Sequence, residues 1–190
     1  MSVKEQVRML WATCFHDSEA FMDLYFGCRY ADSLNEYMES DGQVIAALQR
    51  IPYRLTYEGM NVPVAYISGA CTHPAYRERG VMRKLLAQAH QSMFREGVLF
   101  STLIPAEDWL KGYYARSGYT LCFQRRKKLL TASCLPVENF SNRWKLVEIP
   151  PGSALCGDAF RFYDLFQSDC ENCIQHNWED FHIILADLLL

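Results

Sequence analysis

The segment CTHPAYRERGVMRKLL, Cys71 to Leu86, crowds Arg77, Arg79 and Arg83 around a single glycine, Gly80, between an apolar strand-like run and an amphipathic helix. Three cations at a helix start oppose the macrodipole, whose positive end lies there. The guanidinium groups therefore either splay into water or hold an anion. A tight, glycine-containing turn from strand to helix aims free backbone N–H groups and the positive helix end in one direction, which suits a phosphate. Arginine adds charge-assisted donors, and Gly80 removes the Cβ that would keep a phosphate oxygen away. A pyrophosphate fits such a turn better than a carboxylate does. Taken alone, an arginine-rich turn before a helix is more often a solvated face. The chain carries no GxxxxGK[ST] and no GxGxxG after a strand, so neither a nucleoside-triphosphate loop nor a dinucleotide fold is supported.

Two further groups carry chemistry-bearing side chains. Leu103 to Tyr119, LIPAEDWLKGYYARSGY, brings Tyr113, Tyr114 and Tyr119 close together on and after a helical stretch. Cys170-x-x-Cys173-x-x-His176 has the spacing of three zinc ligands. It lacks an obvious fourth, although Cys156 and His182 are near in sequence, and it reads as a polar loop, with no metal assigned. The eight cysteines are spread along the chain rather than packed into a small secreted scaffold, which points to reduced thiols and a cytoplasmic protein.

The elements that must position these residues follow from pattern. Lys4 to Cys14 repeats apolar residues at helical spacing, and Asp17 or Ser18 can cap a second helix reaching about Cys28. From Asn35 the texture becomes β-rich, with Asp41-Gly42 and Glu58-Gly59 as turns of an antiparallel meander that ends at Pro74. Val81 to Gly97 is an amphipathic helix closed by glycine. VLFSTLI then reads as a buried strand parallel to the one before the helix, covered on both faces. A helix over AEDWLKGYYARSG and a strand over YTLCFQRRKKLL complete an α/β unit with a mixed sheet. Pro136, Pro150, Pro151 and Gly152 mark a linker around the strand WKLVEI, before two helical patterns, DAFRFYDLFQ and NWEDFHIILADLLL.

At this point the residues resemble a known family. Arg77-Glu78-Arg79-Gly80-Val81-Met82 resembles the [RQ]-x-x-G-x-[GA] signature that opens a helix after a strand and a proline in the GNAT superfamily of acetyl-CoA-dependent N-acetyltransferases. Met82 departs from the small residue at the last place. YYARSGY resembles the family's later tyrosine-bearing helix ending, and the nearest texture is that of the enhanced-intracellular-survival type. The resemblance implies a mixed, mostly antiparallel twisted sheet flanked by helices over residues 1–130. It makes residues 131–190 a linker and the start of a second, degenerate domain of the same kind, and the chain an N-terminal part of a longer protein.

The implied chemistry is acetyl transfer from acetyl-CoA to an amine by direct attack. Arg77 to Arg83 would hold the pyrophosphate, and backbone groups of Ala70, Cys71 and Thr72 would hold the pantetheine arm. Tyr114 matches the tyrosine that protonates the departing thiolate, and its reference pKa near 10 lies close to that of an alkyl thiol. As plain core aromatics, Tyr113 and Tyr119 need no such role. Candidates for the base are Glu107, Asp108, His73 and Glu58, each with an ordinary structural reason to be where it is. In the resembling group a distant C-terminal carboxylate also serves. A slot between Tyr25, Phe26, Tyr30 and Tyr37 is conceivable for the acceptor, although that spacing is more often core.

Composition narrows the alternatives. A formal charge of −3 gives no basic field for nucleic acid and mildly favours a cationic acceptor. The longest apolar run, IILADLLL, is too short for a bilayer that needs about 20 such residues, and no signal-peptide core precedes it, so no membrane or export is expected. Homo-oligomerisation stays open. The competing reading is a CoA-binding regulatory or assembly module with little turnover.

Overall fold

The computed structural model describes residues 1–123 and 152–190, together with Val147, Ile149 and Pro150. Helix α1 spans Val3–Phe15, where Ser2 and Glu5 satisfy each other's backbone N–H groups in a capping box. Ser18 caps α2, Glu19–Leu24, and a π-type turn over Tyr25–Arg29 carries the helical path on to where the sequence placed its end. The meander follows as β1 (Asn35–Ser40), β2 (Gln43–Tyr57) and β3 (Met60–Thr72), all antiparallel. Both hairpins close through two residues with positive φ: Asp41 and Gly42 at 52° and 74°, and Glu58 and Gly59 at 49° and 71°. That is the turn hand that matches strand twist, so the two dipeptides fix the register.

Helix α3, Val81–Arg95, crosses one face of the sheet and leads to β4, Phe100–Thr102, which pairs in parallel with Val64–Tyr66 of β3. The fold is thus mixed α/β, with an open, mostly antiparallel sheet flanked by helices. Two apolar clusters sandwich that sheet. Val7, Leu10, Trp11, Met22, Tyr25, Phe26 and Tyr30 fill the face under α1 and α2. Leu48, Ile67, Met82, Leu85, Leu86 and Met93 fill the face under α3.

Several expectations need correction. β4 is short, and Leu99, Phe100 and Ile104 are 67%, 54% and 79% exposed rather than covered on both faces. Among the described residues it has a sheet neighbour on one side only. The helix read over AEDWLKGYYARSG contracts to α4, Leu110–Ala115, because Glu107 and Asp108 form tight turns with Leu110 and Lys111 in front of it. Tyr119–Phe123 are not in a strand, while 124–130 and most of WKLVEI lie outside the described residues.

At the C-terminal side, α5 spans Ala154–Ser168 and α6 spans Trp178–Asp187, with β5 (Ile174–Gln175) between them. β5 adds to the same sheet, pairing with Arg54 and Leu55 on the edge of β2 beyond the end of β1. The Thr56 hydroxyl donates to the carbonyl oxygens of Cys170 (2.6 Å) and Cys173 (3.1 Å). Arg29 bonds both Asp180 and the Tyr53 hydroxyl, and its guanidinium lies 5.1 Å from the centre of the Tyr53 ring. Among the described residues no three His, Cys, Asp or Glu side chains converge as metal ligands, those of Cys170, Cys173 and His176 included.

Candidate active site

β3 is the element that builds the site. Gly69 and Ala70 together oppose the single residue Leu48, a bulge that re-aims the last residues of the strand. Only glycine serves at the first position. Its φ is +59°, and a Cβ placed there would lie 2.0 Å from Cζ3 of the Trp11 ring. Past Tyr66, β3 runs on through Ile67–Thr72 while β4 stops at Thr102, so the two strands part. Ala70, Cys71 and Thr72 lie along this opened edge.

At the end of β3 the chain turns at His73, whose Nδ1 accepts from the Ala75 N–H (3.3 Å), and passes through a short 3-10 turn over Pro74–Tyr76. Glu78 and Gly80 both take positive φ, 63° and 74°. Gly80 is the N-cap of α3 and offers no side-chain acceptor. The first intrahelical bond runs from Lys84 to the Gly80 carbonyl oxygen, which leaves the N–H groups of Val81, Met82 and Arg83 without an acceptor among the described residues. A Cβ on Gly80 would meet nothing within 4 Å, so that side of the turn is open.

The arginines occupy different stations. Arg77 donates from Nε to the Thr72 carbonyl oxygen at 3.1 Å. Arg79 stands 5.4 Å from the centre of the Tyr76 ring, and Arg83 faces outward; burial pushes the Tyr113 phenol up, and Arg83 offsets part of that rise. Among the described residues none of the three pairs with a carboxylate. Met82, the departure from the family pattern, is 8% exposed and packs in the core beside Leu85 and Leu86. Its side chain is therefore spent on the core, while its N–H belongs to the uncapped turn.

Tyr114 packs, together with Ala70, Val81, Leu103, Tyr113 and Tyr119, against the cluster under α3. The opened strand edge, the helix start and the tyrosine helix thus converge on one core. Burial, helped by Tyr113 and Tyr66, pushes the Tyr114 phenol up. Its hydroxyl takes part in no hydrogen bond among the described residues, whereas Tyr119 is engaged with His90 Nε2 (3.0 Å) and Ser101 Oγ (2.6 Å). Burial raises Tyr119 to about 12. It is thus more than a plain core aromatic: it ties α3 to β4.

Of the base candidates, Glu58 sits in the far hairpin, at the opposite end of β3 from the turn. Asp108 is held by Lys111 at 2.6 Å, which pulls its carboxyl down, and Glu107 is exposed in the turn before α4. His73 is occupied in its own turn. Tyr25, Phe26 and Tyr30 are buried at 8%, 3% and 8%, and Tyr37 packs against them, so these aromatics are core and no slot. Sequence reasoning missed the Arg29–Tyr53–Asp180 group, for which no local spacing gives a signal.

A family model described as an acetyltransferase (GNAT) domain matches residues 2–122. The chain belongs to the GNAT acetyltransferase family. Solved structures with this GNAT fold include a probable N-acyltransferase from Enterococcus faecalis (16% identity, TM-score 0.52), covering 60% of this chain and 28% of that one. A GCN5-related N-acetyltransferase from Anabaena variabilis gives 22% identity and a TM-score of 0.52 over 57% and 28% of the two chains. Eis1 from Mycobacterium abscessus gives 14% and 0.51 over 58% and 28%. This GNAT chain therefore spans under a third of the length of these structures. No curated protein matches it. No described helix is long and apolar enough to cross a membrane.

Proposed function

We propose that the protein is an acetyl-CoA-dependent N-acetyltransferase acting on a primary amine. The observation that carries the reading is the coincidence, at one end of β3, of an opened strand edge, an uncapped helix start and three arginines that pair with no carboxylate among the described residues. Acetyl-CoA, when bound, supplies the activated acetyl thioester. The N–H groups of Val81, Met82 and Arg83, with the Arg77, Arg79 and Arg83 side chains, hold the pyrophosphate, and the Cβ-free side of Gly80 admits it. Glu78 contributes backbone only, since its carboxylate would repel the anion. Backbone groups of Ala70, Cys71 and Thr72 orient the pantetheine arm as an added strand would be held. Tyr114 keeps its proton at neutral pH because burial favours the neutral phenol, and it offers that proton toward the thiolate sulfur as a hydrogen-bond donor.

Calorimetric titration of the purified chain with acetyl-CoA tests the reading. Micromolar affinity is expected, and the double variant Arg79→Ala, Gly80→Asp should weaken it by at least about 100-fold, because a charged donor is lost and a carboxylate enters the phosphate site. Unchanged affinity in that variant would remove the turn as the cofactor site.

A further inference from the structure

His176 closes the Cys170-x-x-Cys173-x-x-His176 run and stands between β5 and Asn177, the N-cap of α6, where the C-terminal segment is seated on the sheet. That seat is narrow and polar. β5 gives β2 two residue pairs, Arg54 with Gln175 and Leu55 with Ile174. Beside them the Thr56 N–H donates to the Cys173 carbonyl oxygen (3.0 Å), the Asn172 N–H to the Thr56 carbonyl oxygen (2.8 Å) and the Cys173 N–H to the Thr56 hydroxyl (3.1 Å). The Gln167 side chain, 2% exposed, clamps the backbone of His176, accepting from its N–H at 2.8 Å and donating to its carbonyl oxygen at 2.7 Å. The imidazole is held edge to face against Tyr53 of β2, with ring centres 5.2 Å apart. Arg29 lies on the same tyrosine, 5.1 Å from the ring centre and bonded to the hydroxyl. The charged and titratable groups around the imidazole are thus Arg29 of the π-type turn, Tyr53 of β2, Tyr163 of α5, whose ring centre is 6.3 Å away, and Asp180 of α6.

His176 Nδ1 is buried and has no hydrogen-bond partner among the described residues. The neutral ring tolerates this, because one nitrogen of a neutral imidazole carries no hydrogen. The imidazolium does not: both nitrogens then carry N–H, and the one on Nδ1 is left without an acceptor. The Asp180 carboxylate is already committed, Oδ1 to Arg29 and Oδ2 to the Asn177 N–H at 2.9 Å. Burial disfavours the protonated ring, Asp180 opposes that and Arg29 adds to it, and the balance holds the imidazole below its ordinary 6.5. We propose that His176 is an acid-released latch: as the neutral ring it seats the α5–β5–α6 segment on the edge of β2, and its protonation loosens that seat ahead of the core. Undocked, the ring takes a proton more readily than docked. Docking is therefore fully supported above pH 6.5 and weakens as pH falls through the depressed value. Release bares the Arg54–Thr56 edge of β2 and frees Tyr53, whose ring lies 6.3 Å from that of Tyr66, the last residue of β3 to pair with β4. The latch needs nothing of acetyl transfer, since it is defined by the seat and the imidazole alone.

The test is amide hydrogen exchange, read residue by residue by NMR on the whole chain and corrected for the intrinsic effect of pH on exchange. The reporters are Thr56, Asn172 and Cys173, whose N–H bonds cross the seat. From pH 7.5 to 5.5 their protection should fall by at least about threefold relative to that of Ala46–Leu48, buried in the core of β2. In His176→Phe, which keeps an aromatic ring and has no nitrogen to protonate, the ratio should stay flat. Should that variant already lack the protection at pH 7.5, His176→Gln takes its place. The imidazole signals of the wild type give a second reading, in which His176 should titrate below 6.5. The proposal is overturned if the wild-type ratio is flat over this range, if it falls equally in the variant, or if His176 titrates at 6.5 or above.

Discussion

Replacing Gly69 by alanine tests whether the contact between Trp11 and β3 sets the shape of the opened end of that strand. The residue sits at φ +59°, a conformation that costs an L-residue about 1–2 kcal/mol. The added methyl would also stand 2.0 Å from Trp11 Cζ3, and the ring, buried at 6% exposure and held by its Nε1–H to Asp17 Oδ2 at 2.7 Å, has little room to retreat. Overpacking of this kind costs about 1–3 kcal/mol, so the sum is roughly 2–5 kcal/mol. With a urea slope of about 2 kcal/mol per molar, the unfolding midpoint should fall by about 1–2.5 M. Gly42→Ala is the control: its φ is +74° with nothing within 4 Å, so it loses the conformational part alone, about 1–2 kcal/mol. Trp11→Ala and Gly69→Ala together should cost less than the sum of the two alone, a coupling that distant sites do not show. An equal midpoint shift for Gly69→Ala and Gly42→Ala would refute the reasoning, because strain would then explain everything and the ring nothing.

Tyr114→Phe should lower kcat by about 100-fold or more while leaving acetyl-CoA affinity nearly intact, as it removes a proton donor and little shape; equal loss of both would make the residue structural. Asp180→Ala leaves the Arg29 guanidinium, 17% exposed, without its carboxylate, 4% exposed, and should cost about 3–5 kcal/mol by chemical denaturation. A loss below about 1 kcal/mol would mean that the pair does not hold α6 to the sheet. Burial pushes both His90 and His176 below the ordinary 6.5. Their neutral forms favour the folded state, a contribution present above pH 6.5 and lost as pH falls through the depressed values, because the unfolded chain then binds the protons first. Unfolding midpoints measured from pH 8 to pH 5 should therefore fall, and fall less in the His90→Gln, His176→Gln double variant.

What the sequence carried is local. Ser18 before an amphipathic stretch, Asp41-Gly42 and Glu58-Gly59 between β-rich runs, and Gly80 ahead of Val81 each act through neighbours a few residues away, so helix starts, hairpins and the arginine-rich turn before α3 were readable. The parallel pairing of β3 with β4 followed from a strand–helix–strand order. The part that stayed hidden depends on residues distant in the chain. Nothing near Arg29 announces Asp180, and nothing near Cys14 announces Arg77. VLFSTLI misled because an apolar run reports that cover is wanted, not which neighbour supplies it. Tyr119 misled for a related reason: an aromatic spacing says core, while its hydroxyl partners, His90 and Ser101, come from other elements.

The seat of β5 on β2 also has a timetable. The two hairpins can zip within microseconds once their strands exist. The bond from Thr56 to Cys173, in contrast, joins residues 117 apart in the chain. At the pace of synthesis, roughly 5–20 residues per second, the outer edge of β2 waits on the order of ten seconds for its partner. During that interval its unpaired groups could template a stray strand from another nascent chain. Pro52, which has no N–H to offer, and the charged Arg54 stand on this stretch and discourage such capture, so the newborn edge is guarded until its own C-terminal strand arrives.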